Sequence, residues 1–194
     1  TGPGNCSPSF VKYFEQTHSG SLQAAKHVLR YLRGTEDVGI TYWRNCEAHL
    51  TGYSDADYAS CKDDRKSVPG YCFSYGSGAI SWSAKKQTCV ATSTTEAEVH
   101  ALSEAVKEAL HLQGILECIG ETKGATIHSD SQSCLALVSK EDGNYKAKHF
   151  ATRLAFLKDT IKCNEHSIHL KFLPSADNMA DLFTKGLGRL KTIQ

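Results

Sequence analysis

Apolar residues at helical spacing first appear in SLQAAKHVLRYLRG, where Leu22, Ala25, Leu29 and Leu32 fall on one stripe and Gly34 stops the run. Lys26, Arg30 and Arg33 share the other side, either as a solvated face or as a ridge for phosphates. VGITYW, residues 38–43, predicts a short strand belonging with that helix. A second pattern opens near His49. HLTGYSDADYAS predicts a strand leading into acidic residues, and GYCFSYGSGAISWSAKKQ predicts two strands joined across Gly76, Ser77 and Gly78. A long helix over 93–119 follows and ends at Gly120; ATIHSD is then a strand ending at Asp130, with a short helix over 131–139. From His149, Phe150, Leu154, Leu157 and Ile161 recur at helical spacing, whereas SIHLKFLP alternates Ile168, Leu170 and Phe172 with polar neighbours, as a strand does. A last helix begins after Pro174. The order is strand, strand, strand, helix, strand, helix, helix, strand, helix, which predicts a mixed sheet with helices packed on it.

A chain of 194 residues is long enough for one well-buried domain plus a fragment of another. Lys and Arg total 22 against 21 Asp and Glu, a net charge of +1, so a nucleic acid would be met by local patches rather than by a global field. No apolar run approaches the roughly 18 residues of a membrane span, and no signal peptide opens the chain; a soluble, intracellular protein is expected. The eight cysteines are scattered singly, without a C-x-x-C pair, which points to reduced thiols and away from zinc. The start at Thr1 and a single Met, Met179, lead us to expect an excised piece of something longer.

TSTTEAEVHALSEA carries two glutamates where one would start a helix. Ser93, Thr94, Thr95 and Glu96 match the capping box, in which Ser93 accepts from the N–H three residues on and Glu96 reaches back to the cap's own N–H. Glu98 caps nothing. Its helical neighbours are Ala101, Leu102, Ala105 and Ala109, the face expected to rest on the sheet, so its carboxylate needs a cation or a proton beside it. Asp55 lies inside a strand pattern, Asp130 at the carboxyl end of another, and Asp181 one turn into the last helix. Asp57 and Asp177 have duller explanations, the latter as the N-cap of the helix after Pro174. Four acids with no His or Cys partner suit hard ions, Mg²⁺ or Mn²⁺, and two such ions about 4 Å apart clamp an in-line phosphoryl displacement.

GYSDADYASCKDDRKSVPGYCFSYGSGAISWSAKKQTCVATSTTEAEVHALSEAVKEAL, then IHSDSQSCLAL, KAKHFATRLAFLK and FLPSADNMADLFTKGL, resembles the ribonuclease H domain of copia-type LTR retrotransposon polyproteins. SLQAAKHVLRYLRGTEDVGITYW is similar to the end of that family's reverse transcriptase. The resemblance implies an α/β ribonuclease H-like fold: a five-stranded mixed sheet, three antiparallel strands then two parallel, flanked by helices. Residues 1–47 would be a tail and the end of the reverse transcriptase or connection segment, and 48–194 the ribonuclease H domain. Endonucleolytic hydrolysis of the RNA strand of RNA:DNA hybrids is implied, with two Mg²⁺ ions, for which Mn²⁺ may substitute, held by Asp55, Glu98, Asp130 and Asp181. By family analogy Asp55 bridges both ions, Asp181 helps hold the one that activates water, and Glu98 and Asp130 hold the one at the leaving 3′ oxygen.

Candidates for substrate contact are Lys85 and Lys86 after the third strand, Lys146, Lys148 and Arg153 around His149, and Ser131 and Gln132 beside Asp130. His149 belongs to a block typical of the copia branch; the loop PSADN lacks the histidine that many cellular ribonucleases H carry there. Tyr53, Tyr71, Phe73 and Trp82 are expected in the core. The implied partners are an RNA:DNA hybrid and the reverse transcriptase domain of the same polyprotein, with no membrane, and the implied location is the cytoplasm, within virus-like particles. Two alternatives stand beside this: a hybrid-binding or connection module silent without the reverse transcriptase, and a DNA-cutting nuclease of the same superfold.

Overall fold

The computed structural model describes residues 19–44, 46–61, 63–121, 124–140, 148–163 and 167–185. The chain divides into two units, 1–41 and 42–194, each taken here by itself. In the first, α1 (Ser19–Gly34) forms over the predicted helical stripe, and Leu22, Leu29 and Leu32 of that stripe stand exposed. The strand expected over 38–43 does not form. Val38 and Ile40 are exposed, and no described strand offers them a ladder. Without one, a β-prone run stays irregular.

The second unit is built on β1 (Leu50–Asp57), β2 (Val68–Tyr75), β3 (Gly78–Ala84), β4 (Ala125–Ser129) and β5 (Ile168–Phe172), in the spatial order β3-β2-β1-β4-β5. β1 runs antiparallel to β2, and β2 to β3; β1 and β4, then β4 and β5, are parallel pairs. The hairpin between β2 and β3 turns on Gly76 and Ser77, with Gly76 at φ +62°, a conformation costly for other residues. The remaining elements are α2 (Thr94–Cys118), α3 (Gln132–Ser139), α4 (Lys148–Lys162), a 3₁₀ turn (Ser175–Asp177) and α5 (Asp181–Thr184).

In α2, Ala97, Ala101, Ala105 and Ala109 recur every fourth residue and are all buried, so the helix backbone lies close to the sheet, while Leu102 and Val106 fill the space beside them. Phe73, Leu50 and Ile127 from the strands and Leu154 and Leu157 from α4 complete this core. Full burial of each such side chain contributes roughly 1.5–3 kcal/mol. Trp82 departs from expectation: it is 44% exposed, because β3 is an edge strand and nothing described covers that position. Tyr53 and Tyr71 are half-buried, and only Phe73 of the four aromatics is fully interior. Cys46, Cys61, Cys72, Cys89, Cys118, Cys134 and Cys163 form no disulfide among the described residues. No described helix is long and apolar enough to cross a membrane.

Candidate metal centre

β1 is the central strand and the point where the sheet changes from antiparallel to parallel neighbours, so its carboxyl end and that of β4 open a crevice. Asp55 sits near the end of β1, 1% exposed. Asp130 follows the last residue of β4. Glu98 stands in the first turns of α2, whose Ala97 and Ala101 pack with Ala56. One carboxylate oxygen each from Asp55, Glu98 and Asp130 lie within 4.8 Å of one another.

Asp181 reaches the site differently. Asn178, buried, donates its Nδ2–H to the Ser54 carbonyl at 3.0 Å, and its Oδ1 accepts the Ala180 N–H at 3.1 Å, which fastens the start of α5 to β1. Gly70, opposite Asp55 on β2, leaves the space that α5 fills: a Cβ there would lie 2.7 Å from Thr184 Cγ2 and 3.2 Å from Phe183 Cβ. Thr184 thereby donates its hydroxyl to Asp55 Oδ2. Lys185 places its Nζ 2.6 Å from Asp181 Oδ1 and 3.2 Å from Asp55 Oδ1. Asp181 therefore joins the cluster through a shared ammonium rather than as a fourth member of the close group. Asp177, expected to cap this helix, is exposed and ends the 3₁₀ turn; Ala180 precedes α5, and no side chain caps it.

The electrostatics divide the acids. Burial raises the Asp55 pKa, and its bonds from Thr184 and Lys185 pull it back. Glu98 is pushed up to about 8, chiefly by burial, then by the negative charges of Asp55 and Asp130. Its Oε2 is buried without a hydrogen-bond partner. Among the described residues no side chain is ion-paired with Glu98, and burial beside two negative charges favours its protonated form. Asp130 accepts a hydrogen bond from the Ser175 hydroxyl. An all-oxygen donor set, a buried orphan oxygen and two raised carboxyls fit a hard divalent cation.

At the start of α2, Ser93 caps the helix by accepting the Glu96 N–H at 3.1 Å. Glu96 turns back one residue further than a capping box requires, its Oε2 accepting from both the Thr92 N–H and the Thr92 hydroxyl at 2.6 Å.

The substrate-contact candidates fall in several places. Lys85 is exposed, but Lys86 is bound to Asp64 at 2.8 Å. Ser131 caps α3 by accepting the Cys134 N–H, and Gln132, first in that helix, is exposed. Lys148 and His149 are exposed at the start of α4; Arg153 is half-buried and close enough to His100 of α2 to add to the lowering that burial imposes on that imidazole. Lys146 lies outside the described residues. A cavity of about 300 Å³ lined by Ile161, Cys163, Ser167 and His169 is at the other end of β5, and none of its described lining residues is a carboxylate.

Lys185, Thr184, Ser175 and Asn178 were not singled out from the sequence. Only Lys185 left a local signal, four residues after Asp181 and hence on the same helical face.

No protein-family model matches the chain. It is 35% identical over 181 residues to the retrovirus-related Pol polyprotein from transposon TNT 1-94 of Nicotiana tabacum, covering 93% of this chain. It is 34% identical over 170 residues to that from transposon RE1 of Arabidopsis thaliana, covering 87%. The chain is homologous to copia-type retrotransposon Pol polyproteins. It spans only 13% and 12% of the length of those two relatives. Secreted RxLR effector protein 161 of Plasmopara viticola is 50% identical over 90 residues, 46% of this chain and 63% of that protein. Among solved structures, RNase H1 of Halobacterium salinarum NRC-1 superposes with a TM-score of 0.52 at 16% identity, over 70% of this chain and 94% of that one. The foamy viral protease-reverse transcriptase in complex with RNA/DNA hybrid gives 0.53 at 15%, over 76% and 21%. The chain thus has a ribonuclease H fold, as its motifs implied.

Proposed function

We propose that residues 48–194 form a ribonuclease H domain that hydrolyses the RNA strand of RNA:DNA hybrids during reverse transcription, and that residues 1–47 hold the end of the reverse transcriptase of the same polyprotein. The observation that carries this is the meeting of Asp55, Glu98 and Asp130 in a fold shared with ribonucleases H, with Asp181 tied to Asp55 alongside. Asp55, Glu98 and Asp130 would hold one divalent ion, and Asp55 with Asp181 a second. Two such ions, when bound, supply an activated water and charge stabilisation at the leaving 3′ oxygen. Mg²⁺ suits the donor set, and Mn²⁺ would substitute.

The chain's own residues do the rest. Glu98 must release its proton before it can act as a ligand. Ser175 and Thr184 fix the Asp130 and Asp55 carboxylates by donating to them. Lys85, Lys148, His149 and Arg153 would meet phosphates of the hybrid, Lys86 after leaving Asp64, and Ser131 and Gln132 would meet 2′-hydroxyls beside Asp130. Virus-like particles in the cytoplasm are the location this role implies.

A second reading, a connection module silent without the reverse transcriptase, is favoured by one feature: Asp181 is paired with an ammonium instead of joining the close group. A hybrid labelled on its RNA strand decides between them. Cleavage with Mg²⁺ or Mn²⁺, absent in Asp55→Asn and absent on duplex DNA, is expected; an intact hybrid with both metals, restored to cleavage only by the polymerase portion, selects the second reading.

A further inference from the structure

One ammonium stands among the four carboxylates, and it pairs with two of them. Lys185 contacts Asp55 and Asp181, whereas among the described residues no Lys or Arg is ion-paired with Glu98 or Asp130. Asp55 and Asp181 are 1% and 4% exposed, so without a cation between them they would repel in a medium that screens poorly. The Lys185 side chain is 37% exposed and has a path to water.

We propose that Lys185 is a resident counter-cation: it occupies the Asp55 and Asp181 half of the centre until a second divalent ion displaces it, so that the two ions bind in sequence and unequally. This rests on the assignment of the four acids as metal ligands. The first ion goes to Asp55, Glu98 and Asp130, whose oxygens lie within 4.8 Å of one another and of which Glu98 and Asp130 pair with no described Lys or Arg. A second ion placed between Asp55 and Asp181 would face the ammonium at contact distance, a like-charge repulsion that only withdrawal of the side chain relieves. Lysine suits this exchange. Its ammonium is a compact, strongly hydrated charge on a flexible stem, and it exchanges two carboxylates for water without breaking a planar, bidentate fit as arginine would. The backbone supports the geometry, because Lys185 is the C-cap of α5 and donates its N–H to the Asp181 carbonyl at 3.0 Å, which anchors the base of its side chain beside Asp181. Occupancy by lysine also protects the centre when divalent ions are scarce, since the last helix is held to β1 by the ion pair as well as by Asn178.

Manganese titration of the metal-free full chain tests this, with heat and the electron paramagnetic resonance of free Mn²⁺ as readouts, beside Lys185→Met and Lys185→Gln. In the wild type, two ions are expected, the second weaker by about tenfold or more. In both variants the second is expected to bind about tenfold tighter, a larger gain than that of the first, which shares only Asp55 with the lysine, and the metal-free variants should melt earlier. A second affinity that is unchanged or weaker in both variants overturns the role of Lys185 and leaves the four acids as ligands. Absence of any bound Mn²⁺ in the wild type overturns the ligand assignment and this inference with it. If neither variant folds, nitrogen-labelled lysine in the wild type decides: the ammonium signal held by the carboxylates should move with the second equivalent and not the first, and a signal unmoved to saturation overturns the proposal.

Discussion

Asn178 donates its side-chain amide to the carbonyl of Ser54, 3.0 Å away and 124 residues earlier in the chain. The same amide's oxygen accepts the Ala180 N–H, so one buried side chain sets where α5 begins relative to the strand that carries Asp55. Asn178→Ala leaves both backbone groups without that partner and should lower stability by about 1–3 kcal/mol. Hybrid cleavage should fall by more than the loss of folded protein explains, because Asp181 loses its register with Asp55. Denaturant melts and initial rates on the same preparations check this; equal losses in both would assign Asn178 to stability alone.

Gly70 gives a second test of the same junction. Ala at that position brings a Cβ to 2.7 Å from Thr184 Cγ2, and Thr184 is tethered to Asp55 through its hydroxyl. Gly70→Ala should therefore displace α5, destabilise the protein by about 1–3 kcal/mol and reduce cleavage. Thr184→Ser in the same chain removes the clashing methyl and keeps the hydroxyl, so partial recovery of activity is expected.

Glu98 predicts a pH dependence of the metal-free protein. Its folded pKa, about 8, lies above its ordinary 4.5, so between those values the native state holds a proton that the unfolded state has released. Stability then falls as pH rises from about 5 to 8, by at most about 1.4 kcal/mol per pH unit for one group. Asp55, also raised, acts in the same direction. Melts in chelator should show this slope, and Glu98→Gln should flatten it. Divalent ions should raise the melting temperature more at pH 8 than at pH 5.5, where they must displace the proton.

The neighbouring glutamate should behave in the opposite way. Glu96 accepts two hydrogen bonds from Thr92 and is not one of the clustered acids, so Glu96→Ala should cost about 0.5–2 kcal/mol of stability and spare cleavage of the folded fraction. Glu98→Gln should abolish cleavage without that loss. A shared phenotype would contradict the division of labour between them.

Much of this was legible because it was local. Strand alternation, the glycine turn after Tyr75 and the capping signature at Ser93 are short-range patterns, and they separated Glu96 from Glu98 before any fold was in view. What escaped depends on contacts between distant parts of the chain. Thr184 and Lys185 act on Asp55 from 129 and 130 residues away, and nothing in FTKGL marks them as its partners. Errors came from local signals that tertiary structure overruled. VGITYW has strand composition but no neighbouring strand, and Asp177 has the chemistry of a cap, yet the chain makes a 3₁₀ turn there and starts its helix at Asp181.

Tyr42 and Trp43 sit just before the sheet, against its outer margin. The Tyr42 hydroxyl donates to the Ala79 carbonyl at 2.5 Å, and the Ser77 hydroxyl accepts the Trp43 N–H at 2.8 Å. They fasten the rim of the β2 and β3 hairpin, beside the exposed Ile80 and Trp82. A fragment trimmed to begin at residue 48 would lose both clasps and bare a tacky selvedge, ready to zip onto a sister molecule as concentration rises.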